Sequence, residues 1–330
     1  MKLTLNNIKE ITTGAADIAY RDGKYCFYRL SSEEMEVVKH PLMFAPAGVQ
    51  MRFKTDAKLL RLKVNVRKAL LTRSFFSFDI FVNGEMTGSI QNFKDEECIG
   101  AYSDKEYPLG SFEGEFELSG GENTVRIVFP HSLAADVEEV ELADATYCSP
   151  VKYDKTIIFY GDSITQGFDS VHPSRTYASI VAEKFGANVI NKAIGGAGFS
   201  PAFAKIPRNE KADLLFVAYG TNDWGGYDLE TLKNNTKGFV EGIKMNYPDI
   251  PVYVITPLWR ADWQETKKGG TFKENFDVIN DAFGKEENMT VIPGIDLVPH
   301  DNNMFGDLWL HPNEQGFGHY VDNLMKYLIW

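Results

Sequence analysis

The chain has 330 residues, 44% of them hydrophobic and 24% charged, with a formal net charge of −12. That length suits two globular domains, and the acidic balance argues against nucleic acid or an anionic membrane surface as the main partner. No apolar run approaches the roughly 20 residues that span a bilayer, and Met1-Lys-Leu-Thr-Leu-Asn-Asn has no signal-peptide core, so a cytoplasmic, membrane-free protein is expected.

Residues 1–150 alternate apolar and polar side chains. Gln50-Met-Arg-Phe-Lys-Thr, Leu60-Arg-Leu-Lys-Val-Asn-Val, Phe76-Ser-Phe-Asp-Ile-Phe-Val, Gly114-Glu-Phe-Glu-Leu and Thr124-Val-Arg-Ile-Val-Phe all repeat with a period of two. That period marks strands with one buried face. Asn83-Gly84 and Gly120-Gly121 punctuate them as turns. A last strand is expected near Glu138 to Tyr147, with no helix between the strands, which predicts an all-β sandwich of jelly-roll type. Cys26, Cys98 and Cys148 are odd in number and widely spaced. Reduced thiols are expected, not a disulfide framework, and no cysteine has metal-ligand spacing to a histidine. Neither a metal nor another cofactor is expected.

After Pro150 the pattern changes, and residues 151–330 alternate strand with helix. Ile157 to Tyr160 is an apolar run. A helix follows with Tyr177, Val181 and Phe185 on one face and Ser174 as its cap. Strands are expected at Val189-Ile190, Leu214 to Tyr219, Val252 to Ile255 and Val291-Ile292. Between them lie helices carrying Leu232, Phe239 and Ile243, then Phe272, Phe276, Ile279 and Phe283. A final helix carries Phe317, Val321, Leu324 and Leu328. Five strands alternating with helices predict an α/β domain, a five-stranded parallel sheet covered on both faces. Right-handed crossovers then place every strand's C-terminal end on one edge.

Four segments converge on that edge. Gly161-Asp162-Ser163 ends the first strand, where open α/β sheets hold their ligands. Asn191-Lys-Ala-Ile-Gly-Gly-Ala-Gly198 follows the second, and its glycines let backbone N–H groups approach a ligand closely. Gly220-Thr-Asn-Asp223 follows the third, with Asn222 a side-chain donor. Asp307-Leu-Trp-Leu-His311-Pro-Asn313 precedes the last helix. Any one of these is commonly an ordinary turn. Together they are what acyl-transfer hydrolysis requires: Ser163 as nucleophile, His311 as base, and the Ser163 N–H, Gly196 N–H and Asn222 side chain as oxyanion donors. No phosphate-binding loop with a lysine and no G-x-S-x-G elbow competes for the assignment.

The ordered blocks Gly-Asp-Ser-Ile-Thr, Asn-x-x-Ile-x-Gly, Gly-Thr-Asn-Asp and His-Pro-Asn resemble the SGNH (GDSL) hydrolase superfamily over residues from about 155 to 330. The resemblance implies a flavodoxin-like three-layer domain and the same roles for Ser163, His311, Gly196 and Asn222. One departure stands out. The family commonly has Asp three residues before the catalytic His, where this chain has Leu308; its nearest acid, Asp307, lies four before. Either Asp307 reaches His311 through a bulged loop, or a backbone carbonyl such as that of Trp309 orients the imidazole.

A sandwich followed by such a domain resembles carbohydrate esterase family two, which implies short acyl groups, above all acetyl, on sugars. Trp224, Trp259 and Trp309 lie in loops around the expected site and are candidates to stack on sugar rings, with Arg260 a candidate polar contact. The expected partner is a small-molecule or oligosaccharide ester. A thioesterase or lysophospholipase on the same machinery, and an inert carbohydrate-binding protein, are the alternatives.

Overall fold

The structure, a computed structural model, describes residues 1–69, 73–94 and 106–329. The alternating segments of the first half pair into two antiparallel sheets. Across one run Thr12–Thr13, Gln50–Thr55, Asn123–Val128, Ser77–Val82 and Glu85–Gln91, with Cys148–Pro150 also pairing on Gln50–Thr55. Across the other run Asp17–Arg21, Lys24–Tyr28, Ala134–Ala143, Leu59–Arg67 and Gly110–Glu117. The period of two reads out as burial: Leu60, Leu62, Val64 and Val66 are buried, whereas Arg61, Lys63 and Arg67 are exposed. With Phe53, Phe78, Ile80, Val125, Ile127 and Val137 they fill the space between the sheets.

Two expectations for this half change. Two short helices, Leu5–Ile11 and Ser32–Val38, lie where none was expected, each closed by a capping box, Thr4 with Asn7 and Ser31 with Glu34. The last long strand is Ala134–Ala143, not Glu138 to Tyr147, because Asp144 turns into the left-handed region at φ 59°. Cys26 and Cys148 are free thiols, and Cys98 lies outside the described residues.

The second half contains a five-stranded sheet in the order Ala187–Asn191, Lys155–Gly161, Leu214–Ala218, Val252–Ile255, Met289–Ile292, every pair parallel. That is the 2-1-3-4-5 order of flavodoxin-like sheets, whose ligand crevice opens beyond the ends of the first and third strands. Successive side chains enter opposite layers. Ile157 and Phe159 pack with Tyr177, Val181, Phe317 and Val321. Ile158 and Tyr160 pack with Leu232, Phe239, Ile279 and Phe283. The helix Tyr177–Lys184 is capped by Thr176. Ser174, expected in that role, instead sits in the turn Pro173–Arg175 and donates its backbone N–H to Asp79 Oδ2 of the sandwich at 2.9 Å. None of the described helices is long and apolar enough to cross a membrane.

Side chains of the sandwich bind the second half at several points. Arg29, fully buried, donates to the Asn191 carbonyl at 2.9 Å, and Glu34 pairs with Lys192 at 2.8 Å. Glu34 also holds Arg208. Asp79 pairs with His172 Nδ1 at 2.9 Å, and Arg52 and Arg126 both hold Glu183, at 3.0 and 2.7 Å. These contacts tie the sandwich to the segment that follows the Ser163 turn and to both flanks of the glycine loop.

Candidate active site

The Lys155–Gly161 strand delivers Ser163 into a single helical turn, Ser163–Gln166. Asp162 caps that turn by accepting from the Ile164 N–H at 3.0 Å, and Gly167 closes it at φ 112°. The turn is so tight that a Cβ on Gly161 would stand 2.1 Å from Thr165 Oγ1, so only glycine fits. Ser163 Oγ lies 2.7 Å from His311 Nε2.

His311 is held from its other nitrogen. Nδ1 is 2.7 Å from Asp307 Oδ2, so the carboxylate fixes the tautomer with the proton on Nδ1. Asp307 Oδ1 meanwhile accepts from the backbone N–H groups of Trp309, Leu310 and His311 at 3.0, 2.7 and 3.1 Å. The extra residue between acid and base is absorbed by Leu308, which adopts the left-handed conformation at φ 57° and folds the loop back on itself. The Trp309 carbonyl accepts from Ala261 N–H at 3.0 Å instead of facing the imidazole. Burial opposes ionisation of Asp307, but the His311 hydrogen bond and the loop N–H groups outweigh it and hold the carboxyl at about 2.

The glycine loop is tied to the Ser163 turn through Gln166, whose Oε1 accepts from Gly195 N–H at 2.8 Å. Gly196 follows at φ 80° beside open space. Asn222, in the helix Thr221–Gly226, donates from Nδ2 to the Ala197 carbonyl at 2.9 Å, leaving its second N–H for another acceptor. Asp223 pins the far end of the loop by accepting from Phe199 N–H at 3.1 Å, and burial raises its carboxyl to about 6. Burial likewise raises Asp162, to about 7.

The aromatic candidates separate. Trp309, 41% exposed, flanks the His311 loop on the surface. Trp224, Trp259 and Arg260, expected as substrate contacts, are only 0%, 7% and 5% exposed and brace the site from within. Trp224 donates to the Gly270 carbonyl at 2.8 Å. Trp259 stacks on His300 at 5.5 Å. Arg260 donates to Thr221 Oγ1 at 2.9 Å, pairs with Asp262, and lies between the Trp224 and Trp309 rings at 5.2 and 4.6 Å. Arg260 and the Gly270 turn take Trp224 out of solvent, and His300 and Phe305 cover Trp259.

Three residues of the site lie outside the motif blocks: Gln166, Asp169 and Arg73. Asp169 Oδ2 lies 3.7 Å from His311 Nδ1, and Asp169, Asp307 and His311 each place one ligand-type atom within 4.8 Å of the others. The contacts among these groups make the cluster a hydrogen-bonded, ion-paired unit built around one imidazole.

Residues 159–318 match the model of the GDSL-like lipase/acylhydrolase family. No curated protein matches the chain. Among solved structures, the chain is similar to a salicylyl-acyltransferase from a tetracycline biosynthetic pathway, at 20% identity and a TM-score of 0.77 over 96% of this chain and 92% of that one. It is similar to a family two carbohydrate esterase from Cellvibrio japonicus, at 16% identity and a TM-score of 0.62 over 97% and 96%. It is also similar to one from Clostridium thermocellum in complex with cellohexaose, at 15% identity and a TM-score of 0.61 over 84% and 90%. At these identities the structures speak for the shared fold, a jelly-roll sandwich joined to an SGNH domain.

Proposed function

From the GDSL-like lipase/acylhydrolase domain matched at residues 159–318, the chain is a carboxylic ester hydrolase, and we propose that it removes short acyl groups, above all acetyl, from carbohydrates through an acyl-enzyme on Ser163. The observation that carries the reading is the continuous chain from Ser163 Oγ to His311 Nε2 and from His311 Nδ1 to Asp307, 2.7 Å at each step. His311 Nε2 takes the serine proton as Oγ bonds to the ester carbonyl carbon. The carbonyl oxygen becomes an oxyanion facing the Ser163 and Gly196 N–H groups and Asn222 Nδ2. Collapse expels the alcohol, which leaves with the proton from His311. Water, deprotonated by the same nitrogen, then attacks the acyl-enzyme and frees the acid.

The sugar part of the reading is supported by likeness to two family two carbohydrate esterases and by the surface position of Trp309 beside His311. The test compares aryl acetate, aryl octanoate and acetylated xylo- and manno-oligosaccharides with wild type and Ser163→Ala. Acetate turnover that vanishes in Ser163→Ala is expected; Ser163-independent turnover, or none on any substrate, would sink the reading.

A second reading, larger acyl groups, as in a thioesterase or lysophospholipase, draws on one specific observation. A cavity of about 470 Å³ adjoins the glycine loop, lined by Val37, Val38, Ile194, Gly196, Phe199 and Tyr227 among others. Octanoate turnover exceeding acetate turnover would favour it.

A further inference from the structure

The hydrolytic chain of Ser163, His311 and Asp307 leaves a second carboxylate at the imidazole unused. Asp169 lies in the turn directly after the nucleophile helix, with its side chain fully buried and its Oδ2 3.7 Å from His311 Nδ1. Its Oδ1 accepts from Arg73 Nε at 2.7 Å, and Arg73 Nη2 stands 2.7 Å from the same oxygen. Arg73 belongs to the sandwich, in the segment before the Ser77–Val82 strand. The guanidinium reaches over the Phe168 ring, 5.0 Å from its centre, and that ring lies 5.8 Å from the His311 ring.

Two features show that the fold pays to keep this acid in place. Asp169 is held in the left-handed conformation at φ 70°, directly after Gly167 at φ 112° and Phe168. Such strain in a non-glycine residue persists only where its surroundings enforce it, and it gathers at functional sites. Burying a carboxylate is also costly unless it is paired. Burial raises the Asp169 carboxyl to about 6 and the nearby Asp307 adds to that, while the positive charges of His311 and Arg73 pull it down. The charged or titratable groups facing His311 are thus Asp307, Asp169 and Asp162, and those facing Asp169 are His311, Arg73 and Asp307.

We propose that Asp169, clamped by Arg73 of the N-terminal sandwich, is a positioning residue for His311, supplying a second negative charge that stabilises the imidazolium formed when the base takes the Ser163 proton. The inference rests on the ester-hydrolase reading for its effect on rate. It makes the sandwich part of the hydrolytic machinery, because the residue that fixes Asp169 comes from the other half of the chain, 96 positions earlier. An opposite charge within about 4–6 Å shifts a titrating group by about one to three units. Loss of Asp169 should therefore weaken the base measurably without touching substrate.

The test measures kcat and KM for an aryl acetate against pH in wild type, Asp169→Asn, Arg73→Gln and Arg73→Lys. In parallel, NMR follows the His311 imidazole signals of the intact protein. For Asp169→Asn, kcat falls by about tenfold, KM stays within about twofold, and the acid limb of kcat/KM moves to lower pH by about one unit. A merely structural residue would lower the rate without moving that limb. Arg73→Lys recovers most of the activity lost in Arg73→Gln. Should Asp169→Asn fail to fold, the wild-type titration still decides. The His311 signals carry a second inflection from Asp169 ionisation, and a single inflection overturns the proposal. So does an unmoved acid limb in folded Asp169→Asn, and equal losses in the two Arg73 variants remove the clamp. The NMR result stands whether or not Ser163→Ala abolishes turnover, which separates a failure of this inference from a failure of the esterase reading.

Discussion

Two turns aim a carboxylate at His311, and they are built in opposite ways. The 307–311 loop holds its acid by local backbone alone: three consecutive N–H groups grip Asp307 Oδ1, leaving Oδ2 for the imidazole. The 167–170 turn buries its acid and relies on Arg73, a cation from the other half of the molecule. The first arrangement pulls the carboxyl down to about 2, the second leaves it at about 6. The same side chain, within 4 Å of the same imidazole, is thus a permanent anion in one turn and a titrating group in the other. Hydrogen bonds to the charged form decide the first case and desolvation the second.

The largest expected effect falls on the first acid. Asp307→Asn keeps the shape of the loop but favours the wrong imidazole tautomer, and a loss of roughly 10⁴ in kcat is expected, with KM little changed. If Asp169 carries negative charge beside the same nitrogen, it partly substitutes. The double variant Asp307→Asn/Asp169→Asn then loses a different factor from the product of the two single losses, since groups that act as a unit are not additive. Steady-state kinetics of the three variants check this, and strictly multiplicative losses would show that the two turns act independently.

Asn222→Ala comes next, with an expected loss of about 10² to 10³ in kcat from one oxyanion donor. Asn222 also holds the Ala197 carbonyl, and Asn222→Ala and Asn222→Asp both remove that contact with the donor, so a fall in kcat with an unchanged urea midpoint assigns the loss to the oxyanion site and not to the loop. A loss under tenfold in both variants would take Asn222 out of the oxyanion site.

The comparison extends to stability against pH. Asp307 has its carboxyl lowered from 3.8 to about 2, so its contribution is fully present above the unfolded value and is lost as pH falls from about 4 toward 2. Asp169, raised from 3.8 to about 6, works the other way. The folded state binds the proton more tightly, and stability is lost as pH rises from about 4 to 6. Asp162 and Asp223, raised to about 7 and 6, add to that decline. Urea midpoints at pH 4.5 and 7 should therefore fall less in Asp169→Asn than in wild type. An equal fall in both proteins would mean that Asp169 is not strained by burial.

What the sequence made legible follows the same division between local and distant causes. The strand-to-turn junctions at Ser163, Gly196 and Asn222 are written locally, in apolar runs that end in small and polar residues, so the sheet and its edge could be read. The capping box Ser31-x-x-Glu34 is equally local, but the alternating strands around it mask a helix of only seven residues. Asp169 was not legible because its meaning depends on Arg73, whose approach is a product of the fold. The burial of Trp224 was hidden for the same reason: Arg260 and Lys267 cover its ring, 5.2 and 4.6 Å from its centre. The aim of Asp307 lay between these extremes, since one backbone angle at Leu308 decides it.

That angle supplies the smallest and most local test. Leu308 is 48% exposed, so its side chain has little packing to lose. Leu308→Gly removes a Cβ from a left-handed position and adds freedom to the unfolded chain, effects of opposite sign, each under about 1 kcal/mol. Stability and kcat should both stay within about twofold of wild type in equilibrium constant and rate. Leu308→Val places a β-branched residue at φ 57°, where it is a steric outlier, and costs on the order of 1–3 kcal/mol. The strain is relieved by opening the loop, which draws Asp307 from His311. Its kcat should therefore fall toward that of Asp307→Asn, and the acid limb, set by both carboxylates, should move to lower pH. A Leu308→Val protein with full kcat would show that the acid is held by more than its own turn, and the contrast between the two carboxylates would narrow.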